Sequence, residues 1–374
     1  MTDPATILGR IERLRTLMQE RGYDAVVLRN NPDIRWLTGA VRAFDDEVAH
    51  TAFVTADGLW LHTDSRYYNT FCERMGANTP WTIDEDIVSH PEWVTARIGE
   101  ARARVVAVED TVDLAFFDAL NQSLAAASLA CLTPRLHGDL ADLRMVKDAD
   151  ELVQLQAAQD VTDAAFAHIC GFIKPGMTEQ AVRVELENYM LSNGADNISF
   201  ETIIAAGPNG ANPHARPGAY VIKEGDMVVM DYGALVGDYH ADMTRTVCVG
   251  TPSDEQVKVY NIVREAHEAC AAAIHPGVIG SDIHNLSVDV ITRAGYGDYY
   301  KHGLGHGVGL EIHERPNFGR LYHKPVPEGS VMTVEPGIYL PGNFGVRLED
   351  CGVVTADGYK PFTHSPHELT CIPV

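Results

Sequence analysis

Two helix terminators 101 residues apart limit how this chain can fold more than any other feature. Ile173-Lys174-Pro175-Gly176 and Ile274-His275-Pro276-Gly277 each close a long stretch of helical periodicity. Proline cannot continue a helix and glycine readily supplies its left-handed end. Before the first stop, an amphipathic pattern predicts a helix over 148–172. A second helix is expected from Thr178, whose side chain can cap it, to Asn193-Gly194. Strands should follow at 202–206, Met227–Tyr232 and 240–249. The order then recurs. Ser253 can cap a helix running to about Ile274, Ser281 opens another that ends near Gly295, and further strands follow. Pro-Gly alone is a common terminator, but the repeated element order favours a duplicated helix–helix–sheet unit. Two such halves, facing each other, place a pocket between their sheets.

The first part of the chain has another texture. Ile7, Ile11, Leu14 and Met18 fall at helical spacing over 6–21, and Gly22 is a stop. Ala25–Leu28 is an apolar strand. Asp57-Gly58 is a hairpin turn between strands over 51–55 and 59–63. A further strand over 104–108 precedes a helix from about Asp113. These elements predict a small α/β domain over 1–142 and a second domain over 143–374, an α+β chain overall. A length of 374 residues agrees with two cores rather than one.

Charge narrows the partners. Lysine and arginine number 29 against 52 acidic residues, a net charge of −23. That balance argues against nucleic acid or an anionic membrane surface. The N-terminal stretch lacks the continuous apolar core of a signal peptide, and no apolar span of 18 residues follows. Seven cysteines without a CxxC pair read as reduced thiols. The expected location is the cytoplasm.

Chemistry concentrates in a few strings of the second part. Met227-Val228-Val229-Met230 ends on Asp231, and an acid closing an apolar strand needs a compensating charge. Gly233 and Gly237 allow a reversal, and the chain returns through His240-Ala241-Asp242, so Asp231 and Asp242 can face one point from adjacent strands. Between His302 and His313 three histidines (302, 306 and 313) alternate with glycines 303, 305, 307 and 309. Those glycines permit close backbone approach and positive φ. A lone histidine is usually structural, but three within 12 residues, among glycines, point to a site. Val331–Val334 leads into Glu335. Arg347 and Glu349 lie two apart on a strand, hence on one face; Arg347 could hold the carboxylate, or the pair could be an exposed face. Asp231, Asp242, His306, Glu335 and Glu349 together form a candidate ligand set for two divalent cations. A mostly oxygen donor set suits manganese, with Co2+ or Zn2+ as alternatives.

Over residues 150–374 these strings resemble the pita-bread metallopeptidases, in the prolidase and aminopeptidase P branch. Trp36-Leu37-Thr38-Gly39 and Thr63-Asp64-Ser65-Arg66-Tyr67 resemble that family's creatinase-type N-terminal domain. The resemblance implies a fold, a ligand set and roles. Asp231 would bind one ion, Asp242 and Glu349 would bridge the two, and His306 and Glu335 would bind the other. A hydroxide between the ions would be the nucleophile and Glu335 its proton acceptor. His214, in Gly207-Pro208-Asn209-Gly210-Ala211-Asn212-Pro213-His214, would lie near the scissile bond. His313 would donate to the carbonyl or oxyanion, and His302 would support the substrate amine or a neighbouring loop. The implied substrate is a di- or oligopeptide cleaved before proline, whose tertiary amide offers no N–H to grip. A homodimer is implied as well.

The residues leave the peptide length open between an Xaa-Pro dipeptidase and an aminopeptidase, with a slight lean to the latter. Arg315 and Arg320 could hold a dipeptide carboxylate or be surface arginines. Many relatives carry a bulkier residue than Ala215 after the histidine, which bears on the proline pocket. That keeps open a repurposed enzyme, a lyase or creatinase-like amidinohydrolase acting on a small non-peptide. A non-catalytic interaction protein predicts eroded ligands, and all five positions are intact.

Overall fold

The computed structural model describes residues 2–374, and the chain divides into two compact units, Met1–Arg144 and Met145–Val374. In the first, five strands form a sheet in the order Thr82–Asp84, Leu59–His62, Thr51–Thr55, Ala25–Leu28 and Val106–Val108. Ala25–Leu28 pairs antiparallel with Thr51–Thr55 and parallel with Val106–Val108. Its side chains are buried throughout, which is why it reads as an unbroken apolar run. The strand expected over 104–108 is shorter because the amides of Arg104 and Val105 donate to Asp24 Oδ2 instead of a ladder.

Helix Pro4–Arg21 starts on an Asp3 cap and stops at Gly22, whose φ of 72° is left-handed. It buries Ile7, Ile11, Leu14 and Met18. Helices His90–Ala101 and Leu114–Ala126 cover the sheet, packing Trp93, Ile98, Phe116 and Leu120 on Ala25, Val27 and Phe53.

The second unit contains the helix–helix–sheet order twice. Helix Ala149–Phe172 opens on a reciprocal Asp148–Glu151 capping box, and Asp254–Ala273 on a Ser253–Gln256 box. Thr178 caps Glu179–Ser192 through the Ala181 amide. The fourth helix starts one residue before Ser281. It runs Gly280–Arg293 with Ser281 inside its first turn, where the hydroxyl meets His323 Nδ1 at 3.0 Å rather than capping the helix.

One sheet orders its strands Thr370–Ile372, Met243–Val249, Met227–Tyr232 and Ile203–Ala206. A second, five-stranded sheet runs Glu314–Phe318, Gly305–Gly307, Val331–Val334, Asp350–Thr355 and Gly358–Pro361. Two smaller sheets join Asn197–Ile198, Ala234–Val236 and Tyr239–His240, and Gly337–Leu340 and Phe344–Arg347. The first helix pair packs Phe166, Ile169, Val182 and Leu186 on Ile204, Val228, Met230 and Val247. In the second half Cys270, Ile274 and Ile283 pack on Leu304, Met332 and Val334.

The strand expected over 240–249 is two pieces, Tyr239–His240 and Met243–Val249, broken at Ala241-Asp242. At the break the Ala241 carbonyl crosses Gly233 so closely that a Cβ there would sit 1.8 Å from the oxygen. Among the described residues no helix is long and apolar enough to cross a membrane.

Candidate metal centre

All five expected ligands line one cavity of about 600 Å³ in the second unit. Asp231 sits near the end of strand Met227–Tyr232, opposite Thr244 in the register. Asp242 sits at the break just before strand Met243–Val249, and both aspartates line the cavity. Glu349 falls between Phe344–Arg347 and Asp350–Thr355, and its amide donates to the Thr244 carbonyl at 3.1 Å. Strand Val331–Val334 delivers Glu335, whose amide donates to the Leu304 carbonyl at 2.8 Å. His306 is the middle residue of Gly305–Gly307.

The glycines beside His306 have a steric cause, not a conformational one. None of glycines 303, 305, 307 and 309 takes a positive φ. A Cβ on Gly305 would instead lie 2.1 Å from the Thr333 carbonyl oxygen, and one on Gly307 2.5 Å from that of Arg315. Bare backbone lets neighbouring strands close on the histidine from both sides.

The electrostatics of the cluster suit a cation. His306 Nδ1 faces the Gly307 carbonyl at 3.1 Å, and a carbonyl only accepts, so Nδ1 carries the proton. Nε2 therefore turns a lone pair toward Asp242 Oδ2 at 3.5 Å and Glu335 Oε1 at 3.4 Å. Three electron-rich atoms meet here, and either a proton or a cation must stand between them. Asp231 Oδ1 and Glu349 Oε1 are also buried without a hydrogen-bond partner among the described residues. Burial, then Glu349 and the other acids, raises Asp242 well above the usual carboxylate range. Burial followed by Glu335 and Asp231 does the same to Glu349, and burial first of all pushes Glu335 to about 8. Each of these penalties vanishes when divalent ions occupy the pocket. One imidazole and four carboxylates are a donor set that fits such ions.

A ring of donors holds the carboxylates' remaining oxygens. Thr244 Oγ1 donates to Glu349 Oε2 at 2.6 Å and accepts from Arg347 Nε at 2.9 Å. The Arg347 guanidinium also donates to Asp231 Oδ2 and, at 3.0 Å, to the Tyr339 hydroxyl. Arg347 is buried, so the exposed Arg–Glu face is not what forms. Thr333 Oγ1 accepts from the His306 amide at 3.0 Å and reaches Glu335 Oε1 at 3.4 Å. Thr244, Thr333 and Tyr339 escape a sequence reading, since hydroxyl residues in strands carry no spacing signal.

His214, His302 and His313 line the same cavity. His214 and His313 are exposed, and the His313 ring lies edge-on to His306 with centroids 4.4 Å apart. His302 is differently placed. Its Nδ1 meets the Gly303 carbonyl at 2.7 Å and its Nε2 meets the Tyr339 hydroxyl at 2.9 Å. Both nitrogens are spoken for, leaving none for a substrate amine. Arg315 and Arg320 do not line the cavity; Arg183 and Arg216 do. Arg315 is held on strand Glu314–Phe318 before a cis proline, and Arg320 follows beyond that strand.

Fold and donor cluster together define a two-domain metallopeptidase with a duplicated catalytic unit. Residues 153–356 match the model of metallopeptidase family M24, and residues 10–146 match the creatinase/prolidase N-terminal domain. The chain belongs to metallopeptidase family M24 and has its pita-bread fold. The Xaa-Pro dipeptidase of Lactobacillus delbrueckii subsp. lactis is 31% identical, covering 97% of this chain and 99% of its own length. Among solved structures, the Xaa-Pro dipeptidase from Bacillus anthracis superposes with a TM-score of 0.90 at 34% identity, covering 98% of this chain and 99% of that one. The X-Pro aminopeptidase from Thermotoga maritima MSB8 gives 0.88 at 31% identity, covering 97% and 99%.

Proposed function

We propose that the chain hydrolyses the peptide bond preceding proline and that dipeptides are its preferred length. One observation carries the proposal: five ligand-type side chains from both halves of the duplication converge on one pocket, with two buried carboxylate oxygens facing it unpaired. Asp231, Asp242, His306, Glu335 and Glu349 would hold two divalent ions, of which Mn2+ best suits the oxygen-rich set. Bound there, such ions polarise a carbonyl and bring the pKa of water toward neutrality.

The chain's own side chains do the rest. Glu335 takes the proton of the attacking water at its carboxylate. His313 donates to the carbonyl oxygen as it becomes an oxyanion. His214 packs beside the scissile bond, and the small Ala215 after it leaves room for the pyrrolidine. Arg347, Tyr339 and His302 form a donor chain ending on the Gly303 carbonyl, so His302 acts as a positioning residue. Arg183 and Arg216 line the cavity facing Glu187 and Glu201, and a dipeptide's free C-terminus would compete with those acids for them. The names of the relatives, dipeptidases and an aminopeptidase, agree with the bond chosen. A homodimer belongs to the same proposal, and light scattering tests it.

Adding manganese to chelated protein in the presence of an Xaa-Pro dipeptide and an Xaa-Pro-Yaa peptide tests the whole proposal. Cleavage should require metal and be faster for the dipeptide. No metal-dependent cleavage of either peptide would sink it, and faster cleavage of the longer one would make it an aminopeptidase.

A further inference from the structure

Behind the strand that follows Glu349 lies a second cluster of metal-ligating side chains, outside the cavity. Asp350 follows Glu349 directly and opens strand Asp350–Thr355, yet it is not among the cavity residues. His267 reaches it from helix Asp254–Ala273, and His367 from the segment before Thr370–Ile372. One ligand atom from each of the three lies within 4.8 Å of the others.

His267 is the informative member. Its side chain is 1% exposed, and neither ring nitrogen has a hydrogen-bond partner among the described residues. A neutral imidazole carries one donor and one acceptor, so a buried ring that hydrogen-bonds through neither is a cost that a ligand would offset. Nε2 faces Asp350 Oδ2 at 3.5 Å, and the same oxygen lies 2.7 Å from His367 Nε2.

We propose that His267, Asp350 and His367 form a second metal site, which takes a borderline divalent transition metal such as Zn2+. With metal–ligand distances of about 2.0–2.1 Å, donors around a tetrahedral ion stand about 3.4 Å apart. The His267–Asp350 separation already has that value. His367 must retreat by about 0.7 Å to match it, and its side chain, 32% exposed on an irregular segment, has room to do so. Its proton moves to Nδ1, which faces Glu268 Oε1 at 4.0 Å, and Nε2 then offers a lone pair. The exposed flank of His367 gives the ion a way in and leaves a position for water.

Charge selects the ion. The other oxygen of Asp350 accepts from Arg245 Nη2 at 2.7 Å. That guanidinium cancels the carboxylate charge and also donates to the carbonyls of Thr244, Glu349, Ser365 and Pro366. What remains is a nearly neutral set of two imidazoles and one oxygen. Calcium and magnesium need more oxygen and more negative charge. Imidazole-preferring ions do not.

The test counts zinc. Full-length chain is stripped with chelator, dialysed against buffered Zn2+, and its bound zinc measured by mass spectrometry. Wild type should hold one zinc per chain more than H367A, whose substitution is partly exposed and leaves the core intact. H364A, altered at an exposed histidine nearby, should retain the full number. Adding H367A to D242A, which disables the cavity, should again remove one zinc. Equal zinc in wild type and H367A overturns the proposal, and so does an equal loss from H364A, which would mean surface binding. Should D242A hold as much zinc as wild type while H367A still loses one, the cavity assignment fails and the second site stands.

Discussion

In the proposed mechanism Glu335 is both a ligand and the proton acceptor, so Glu335→Gln removes a charge and a base together. Turnover should fall by about 100-fold or more, with the circular dichroism spectrum unchanged; near-normal turnover would show the base to be elsewhere. Thr244→Val is a subtler probe. It keeps the shape but removes the donor to Glu349 and the acceptor for Arg347. Affinity for Mn2+ should drop by about 10–100-fold, as read by calorimetry, and an unchanged affinity would make the hydroxyl a bystander. At this scale the acids and histidines were legible, because carboxylates that end apolar strands and histidines among glycines violate what a surface or a core would choose. Thr244 and Tyr339 were not. Their importance comes from partners about 100 residues away and 37 residues away in sequence, which only the folded register brings together. His302 was legible as a site residue, but its two saturated nitrogens were not.

Strands explain what the glycines are for. Gly305→Ala drives a methyl into the Thr333 carbonyl and should destabilise by about 1–3 kcal/mol or more, seen as a lower urea midpoint by far-ultraviolet circular dichroism. Gly303→Ala meets nothing nearer than 3.5 Å and should leave that midpoint in place. Equal effects of the two would refute the close-approach account. Helices were the most readable elements, since Asp148, Thr178 and Ser253 announce their starts by local capping chemistry. The Gly280–Arg293 start was legible to within one residue of Ser281, but only the position of His323 shows where the Ser281 hydroxyl goes. The break at Ala241-Asp242 was hidden for the same kind of reason. It depends on the carbonyl crossing Gly233, and nothing in the local text of an apolar strand records that.

On the scale of the molecule, the two units differ in what they report. All four tryptophans (36, 60, 81 and 93) belong to the first unit, so tryptophan fluorescence follows that unit. It also holds buried His50 and half-buried His90, each lowered to about 4, by burial above all. Above an unfolded value of about 6.5 neither state is protonated and neither histidine affects stability. As the pH falls from there to about 4, the unfolded chain binds protons that the native one refuses, so stability is lost. The loss is up to about 1.4 kcal/mol per pH unit for His50, and less for the half-buried His90. The urea midpoint seen by fluorescence should therefore be lower at pH 5 than at pH 7, and an unchanged midpoint would mean that these rings ionise freely. The duplication was visible in the spacing of two Pro-Gly stops, because a helix must end somewhere and the ends rhyme. That the first half supplies Asp231 and Asp242 and the second supplies His306, Glu335 and Glu349 has a consequence during synthesis. A ribosome adding about 5–20 residues per second needs on the order of ten seconds between delivering the first of these side chains and the last. Until His306 emerges the nascent chain carries only the two aspartates of the set, and until Glu349 emerges it has no scissors. A peptidase divided in this way cannot cut anything in the cell until its second half has been made.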